Sequence, residues 1–301
     1  MDSKQFYGVH TALITPFSDG KVNYAVLERL VNRQIEEGVD GLVSVGTTGE
    51  SPTLDFDEHI EVIRQTVQFA KGRVPVIAGT GSNSTDEAIE LTEESEKAGA
   101  DAFLLVAPYY NKPSQQGLFE HFSKIAERTS KPIVLYSIPG RCGIEIGMDT
   151  VCRLYEKYPH ICVLKESGAS CDRVSELVCR LGNDFAVLSG EDNLILPYMS
   201  VGAKGVICTT SNVMPREMVK MVTLALNNDF AAAKAIHQQL FPMFKALFVE
   251  PNPVPAKYAL FKMKVITSAE VRSPLCGMTP ENQKMMDRVL ESFGLIGKKG
   301  A

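Results

Sequence analysis

Ile161-Cys162-Val163-Leu164-Lys165-Glu166-Ser167-Gly168 is the stretch on which the fold turns. Four apolar residues in a row fit a strand buried on both faces, and such strands belong to parallel sheets. The run stops at an amine followed by small residues and a turn, so Lys165 stands at the end of the strand. Two readings of that lysine are open. Its stem covers the strand end while the ammonium reaches solvent, or desolvation at the rim of an apolar interior favours the neutral, nucleophilic amine. Glu166 points to the opposite side of the strand from Lys165.

The same unit recurs on both sides. Apolar runs at 9–14, 41–45, 74–78, 102–106, 132–136, 186–189 and 205–208 alternate with amphipathic stretches. Their spacing predicts helices over 24–37, 55–70, 84–98, 115–128, 149–158, 171–181, 193–201 and 214–228. Gly38 is a C-cap glycine, and Asp55 with Glu58 forms a capping box. Eight strand–helix units predict an α/β fold, a (β/α)8 TIM barrel over residues 1–228. An open doubly wound sheet competes, but no Gly-x-Gly-x-x-Gly follows the first strand. Residues 229–301 hold no strand pattern. Stretches 230–249, 255–266 and 280–293 predict a C-terminal three-helix extension packed on the barrel, since no linker precedes them.

Composition excludes several functions. A chain of 301 residues with 45% hydrophobic and 22% charged residues has ample core for a soluble globular protein. Net charge is −5 and the basic residues form no stripe, so nucleic acid is not an expected partner. No run approaches the ~18 apolar residues of a membrane span, and the N-terminus has no signal-peptide pattern. A cytoplasmic protein is expected. Its seven cysteines are odd in number and lack a Cys-x-x-Cys pair, which fits reduced thiols rather than zinc ligands. Cys142, beside Arg141 in a loop, reads as either an activated or an inert thiol, with the inert form favoured. The five histidines form no His-x-x-x-His pair, so no metal site is expected.

In a (β/α)8 barrel the chemistry lies at the C-terminal ends of the strands. The second run ends in Gly46-Thr47-Thr48-Gly49-Glu50-Ser51, where exposed N–H groups and two hydroxyls suit a small carboxylate. The same segment also reads as an ordinary glycine turn. The fourth ends at Tyr109-Tyr110 and the fifth at Tyr136. Strand-end tyrosines are often packing, but beside a strand-end lysine a phenol can relay protons. Arg141, near a proline, suits a second carboxylate or reads as a plain surface charge, and Gly190 permits close approach to whatever Lys165 holds. A neutral amine, a carboxylate cradle, a proton relay and a carboxylate clamp describe a Schiff-base enzyme for 2-oxo acids. An unperturbed lysine is neutral in about one molecule in a few thousand at pH 7, so burial is needed, and its ~2–3 unit reach suffices.

With these motifs in view, the sequence resembles the dihydrodipicolinate synthase family. That family is a branch of the class I, pyruvate-dependent aldolases that also include the N-acetylneuraminate lyases. The likeness runs from Gly8-Val9-His10-Thr11-Ala12-Leu13-Ile14-Thr15-Pro16-Phe17 to the C-terminal helices, with Gly46-Thr47-Thr48-Gly49-Glu50-Ser51 and Leu164-Lys165-Glu166-Ser167 as its strongest motifs. Thr47-Thr48, Tyr109-Tyr110 and Arg141 point to the synthases within it.

The resemblance implies that Lys165 forms a Schiff base with pyruvate, whose enamine attacks L-aspartate 4-semialdehyde, in lysine and diaminopimelate biosynthesis. It implies a proton relay of Thr48, Tyr110 and Tyr136, with Tyr110 reaching a neighbouring subunit's site. Thr47 and Thr48 would hold the pyruvate carboxylate, Arg141 the semialdehyde carboxylate, and Gly190 and Ile207 would line the pocket. The resemblance implies no metal or organic cofactor, and it implies a homotetramer, a dimer of dimers. Feedback inhibition by L-lysine is implied at Ser51, His59, Asn83, Glu87 and Tyr109, with Phe56 departing from the histidine of some sensitive members. Rival readings are a lyase for a sugar acid on the same barrel, and a non-catalytic barrel that senses small acids.

Overall fold

The eight apolar runs form eight parallel strands: β1 (Gly8–Ala12), β2 (Gly41–Ser44), β3 (Val76–Gly79), β4 (Ala102–Val106), β5 (Ile133–Ser137), β6 (Ile161–Glu166), β7 (Ala186–Ser189) and β8 (Gly205–Cys208). In the computed structural model, which describes residues 3–297, they close into one barrel. Each strand pairs with the next in sequence, and β1 pairs with β8 to complete the ring. Every strand residue is buried except Val106, which is half-buried. That is why the strands read as continuous apolar runs rather than as alternation. The fold is a (β/α)8 TIM barrel.

The outer helices are α1 (Tyr24–Glu36), α2 (Phe56–Ala70), α3 (Thr85–Lys97), α4 (Gln115–Ala126), α5 (Met148–Lys157), α6 (Cys171–Leu181), α7 (Ile195–Ser200) and α8 (Pro215–Leu226). Polar side chains set where several begin. Asn23, Ser84, Ser114 and Ser170 each accept a hydrogen bond from a first-turn backbone N–H. Asp55 and Glu58 form both bonds of the expected capping box.

Several local features differ from the sequence reading, the first strand among them, which ends at Ala12 and not at residue 14. Residues 74 and 75 fall outside β3, because Pro75 has no N–H for a ladder. Residues 193–201 form a 3₁₀ turn, Asp192–Leu194, before the short α7. A two-stranded hairpin, Phe17–Ser18 with Lys21–Val22, lies between β1 and α1. Its signal was present in Asp19-Gly20, a dipeptide suited to the positive φ of both turn residues.

After α8, the C-terminal segment contributes α9 (Phe230–Ala246), α10 (Val254–Lys262) and α11 (Pro280–Ser292). Helix α9 lies against α7 and α8, and α10 reaches the turn Thr210–Asn212 that follows β8. The extension therefore touches the barrel on the side where the strands end. Among the described residues no helix is long and apolar enough to cross a membrane.

Candidate active site

Strand register places the first two groups together. Tyr136 on β5 is the direct partner of Lys165 on β6, and in-register neighbours point to the same face. The Lys165 ammonium nitrogen lies 4.0 Å from the Tyr136 ring centroid, and both side chains are buried. Glu166 faces the other way, as expected. Its Oε2 accepts a 2.9 Å hydrogen bond from Arg173 Nε on α6, and its Oε1 accepts one from the Gly168 N–H. Glu166 is thus committed to its own ion pair and is not the counter-ion of Lys165.

Burial decides the protonation of this pair. Desolvation lowers the Lys165 amine to about 8, against the opposing pull of Asp192 and Glu191. At pH 7 that leaves about one amine in ten neutral, instead of one in a few thousand. Desolvation also pushes the Tyr136 phenol well above its ordinary value, so the phenol keeps its proton. A neutral amine beside a protonated phenol is a nucleophile beside a proton donor. The Cys142 thiol is buried and pushed up to about 11, chiefly by desolvation, which makes it the inert form.

A cavity of about 220 Å³ opens over Lys165 at the C-terminal end of the barrel. Thr47, Thr48, Tyr136, Arg141, Lys165, Gly190 and Ile207 all line it. Thr47 and Thr48 stand on a 3₁₀ turn after β2, Thr47–Gly49, with Thr48 buried. Arg141 sits on a single helical turn, Pro139–Cys142, after β5, exposed at the cavity mouth. Gly190 follows β7 where no side chain fits: a Cβ there would lie 2.1 Å from Ser167 Oγ and 3.0 Å from Lys165 Cε.

Tyr110 is not in this group. It lies on the loop after β4 with its side chain 91% exposed and its backbone at φ 72°.

A second cavity, of about 190 Å³, is lined by Ser51, His59, Glu87 and Tyr109. Phe56 lines it as well, at the position noted as a departure. Asn83 stands beside it, donating a 3.3 Å hydrogen bond to the Tyr109 carbonyl. Burial lowers the His59 imidazole, whose Nε2 lies 2.7 Å from the Gly79 carbonyl oxygen. Glu87 accepts a hydrogen bond from Ser82. Among the described residues no group of three or more His, Cys, Asp or Glu could hold a metal ion.

Several wall residues were not singled out from sequence. Thr209 and Asn252 reach Thr48: the Thr209 and Thr48 hydroxyls are 3.3 Å apart, and Asn252 Nδ2 donates to Thr48 Oγ1 at 2.9 Å. Ser167, Glu191, Ile138, Gly140 and Phe248 complete the lining. Thr209 follows the eighth strand, so the strand-end rule that found Thr47 could have found it. Asn252 lies in the C-terminal extension, where its only signal is the flanking pair Pro251 and Pro253.

Comparisons with known proteins agree with this geometry. The family model for the dihydrodipicolinate synthetase family matches residues 5–293. The 4-hydroxy-tetrahydrodipicolinate synthase of Persephonella marina is 47% identical over 291 residues, 97% of this chain and 99% of that one. The crystal structure of the chloride-inhibited dihydrodipicolinate synthase from Acinetobacter baumannii, complexed with pyruvate, superposes with a TM-score of 0.94. It is 40% identical, covering 96% of this chain and 99% of that one. The Cyanidioschyzon merolae enzyme with lysine bound also gives 0.94, at 39% identity over 97% and 99%. A buried strand-end lysine facing a threonine cradle on a closed barrel, matched at this identity over nearly the whole length, has one meaning: the chain belongs to the dihydrodipicolinate synthetase family and is a class I aldolase-type lyase.

Proposed function

We propose that the protein condenses pyruvate with L-aspartate 4-semialdehyde to 4-hydroxy-tetrahydrodipicolinate, in lysine and diaminopimelate biosynthesis in the cytoplasm. The observation that carries the reading is the desolvated Lys165 amine opening on a cavity whose wall holds the Thr47 and Thr48 hydroxyls. The Acinetobacter baumannii relative complexed with pyruvate supports the choice of 2-oxo acid.

The chemistry follows from the groups present. Lys165 adds to the C2 carbonyl of pyruvate, and Tyr136 relays the proton that lets water leave as the imine forms. Thr47 and Thr48 hold the carboxylate. Loss of a C3 proton gives the enamine, whose carbon attacks the aldehyde carbon and leaves an alcohol. The amine of the semialdehyde then attacks the imine carbon, closing the ring and releasing Lys165. Arg141, at the mouth, binds the carboxylate of the incoming semialdehyde. The imine nitrogen supplies the electron sink, so the sequence requires no metal or organic cofactor.

Tyr110 completes the relay from a neighbouring subunit of a homotetramer. Its 91% exposure on the loop after β4 supports that placement, since a phenol so exposed is free to meet a second copy. L-lysine is the feedback inhibitor at Ser51, His59, Asn83, Glu87 and Tyr109, where a carboxylate can pair with the amine of the ligand. The lysine-bound Cyanidioschyzon merolae relative supports this reading.

Borohydride reduction in the presence of pyruvate, followed by peptide mass analysis, tests the core claim. The expected product is a reduced adduct on Lys165; an unmodified Lys165 sinks the enzyme reading in favour of a small-acid sensor. Turnover with the semialdehyde but not with a sugar aldehyde separates the synthase from a sugar-acid lyase. For the inhibitor, Glu87→Ala is expected to raise the lysine concentration needed for half-inhibition about 10-fold, the worth of one charge-assisted contact. Wild type unaffected by lysine would refute that part alone.

A further inference from the structure

The Thr48 hydroxyl is held by a residue 204 positions away. Asn252, in the C-terminal extension just before α10, donates Nδ2 to Thr48 Oγ1 at 2.9 Å. Asn252 is 8% exposed, and its Oδ1 is buried without a hydrogen-bond partner among the described residues. The hydrogen bond of this amide therefore goes to Thr48 rather than into a scaffold of its own.

A hydroxyl has one proton and two lone pairs. With one lone pair occupied by the Asn252 amide, the O–H proton of Thr48 is left for Thr209 or for the cavity. A carboxylate in the cavity needs a donor, so this polarity is the useful one.

A second contact joins the same two segments. Glu50, directly after the Thr47–Gly49 turn, forms a fully buried ion pair with Lys257 of α10. Lys257 Nζ also donates to the Glu270 carbonyl at 2.8 Å, and Glu50 Oε2 accepts from the Arg272 N–H at 3.0 Å. Two residues of the cradle segment, 48 and 50, are thus tied to three residues of the extension, 252, 257 and 272.

We propose that Asn252 is a positioning residue for the Thr48 hydroxyl, kept in register by the Glu50–Lys257 pair, so that the C-terminal extension sets the donor that meets the pyruvate carboxylate. The inference rests on the reading of the cavity as the pyruvate site. Asn252 acts through Thr48 and its role is to fix which way the hydroxyl points.

The test is a double-mutant cycle on the full-length protein, read by the rate and pyruvate dependence of borohydride trapping at Lys165. Asn252→Ala is expected to raise the pyruvate concentration for half-maximal trapping about 5- to 10-fold, the worth of one hydrogen bond. Asn252→Asp keeps the shape but accepts the Thr48 proton and sets a negative charge beside the cradle, so it is expected to be worse than alanine. In a Thr48→Ala background, Asn252→Ala is expected to cost nothing further. Losses that multiply across the cycle would overturn the proposal. So would an Asn252→Asp protein that traps like wild type, or variants whose thermal midpoints fall while their pyruvate dependence stays unchanged. Wild type that traps no pyruvate removes the proposed function, whereas wild type that traps and variants that match it remove only this inference.

Discussion

Two lysines of this protein, one on a barrel strand and one in the C-terminal extension, are buried to nearly the same degree and face different surroundings. Lys165 and Lys257 each place the ammonium nitrogen 4.0 Å from an aromatic centroid, Tyr136 for one and Phe17 for the other. Desolvation is the leading effect on both amines and lowers both. What separates them is what stands opposite. Lys257 meets Glu50 in a direct ion pair and the Glu270 carbonyl in a hydrogen bond. Lys165 faces an open cavity, with Asp192 and Glu191 acting on it only through space. Asp192 is itself occupied, accepting hydrogen bonds from the Thr209 and Thr210 N–H groups at 3.3 and 2.7 Å. Burial alone therefore does not separate the amine proposed as nucleophile from the structural charge; the cavity before Lys165 and the carboxylate before Lys257 do.

The comparison breaks most sharply under the same substitution at both sites. Lys165→Met keeps the volume and removes the amine, and turnover is expected to fall at least ~1,000-fold, since covalent catalysis goes with it. Its thermal midpoint is expected to rise, because a desolvated charge has been taken out of the core. Lys257→Met is expected to move stability the other way, by about 3–5 kcal/mol in a denaturant titration, since it leaves Glu50 buried without its cation. Adding Glu50→Gln should return most of that loss. If both methionine variants shift the midpoint in the same direction, the distinction between the two lysines fails.

A smaller effect follows from pH. In the proposed mechanism the neutral Lys165 amine attacks, and desolvation lowers that amine to about 8. Trapping of pyruvate should climb about tenfold per pH unit below that value and level off above it. The stability sign is consistent. The folded state loses this proton near 8 and the unfolded chain near 10.4, so the destabilisation from burying the charge is full below 8 and fades as pH rises through that window. The stability advantage of methionine at 165 should shrink over the same interval. A trapping profile flat from pH 6 to 9 would contradict the lowered amine.

The two lysines also differ in how legible they were. Lys165 ends an apolar run, and seven similar runs around it fixed both the barrel and the rim on which the lysine sits. Local pattern sufficed because the strands are buried on both faces. Thr47, Thr48, Tyr136 and Arg141 were found by the same strand-end rule, and all line the cavity. Lys257 falls within a helix where a lysine reads as solvated, and nothing local says that its face turns inward onto Glu50. Asn252 and Thr209 join Thr48 across 204 and 161 residues, distances at which sequence periodicity carries no information. The pattern told where the reacting groups stand. It was silent on what braces them.

That brace has a consequence in the order of synthesis. The ring closes only when residues 205–208 pair with β1, and the Thr48 hydroxyl gains its amide only when residue 252 has been made. A nascent chain carries Lys165 well before either event, and domains are built from the N-terminus during translation. A chain that stops before residue 252 therefore carries the Lys165 amine without the amide that meets Thr48. The bond from Asn252 to Thr48 is thus among the last contacts of the cavity wall to become available during synthesis.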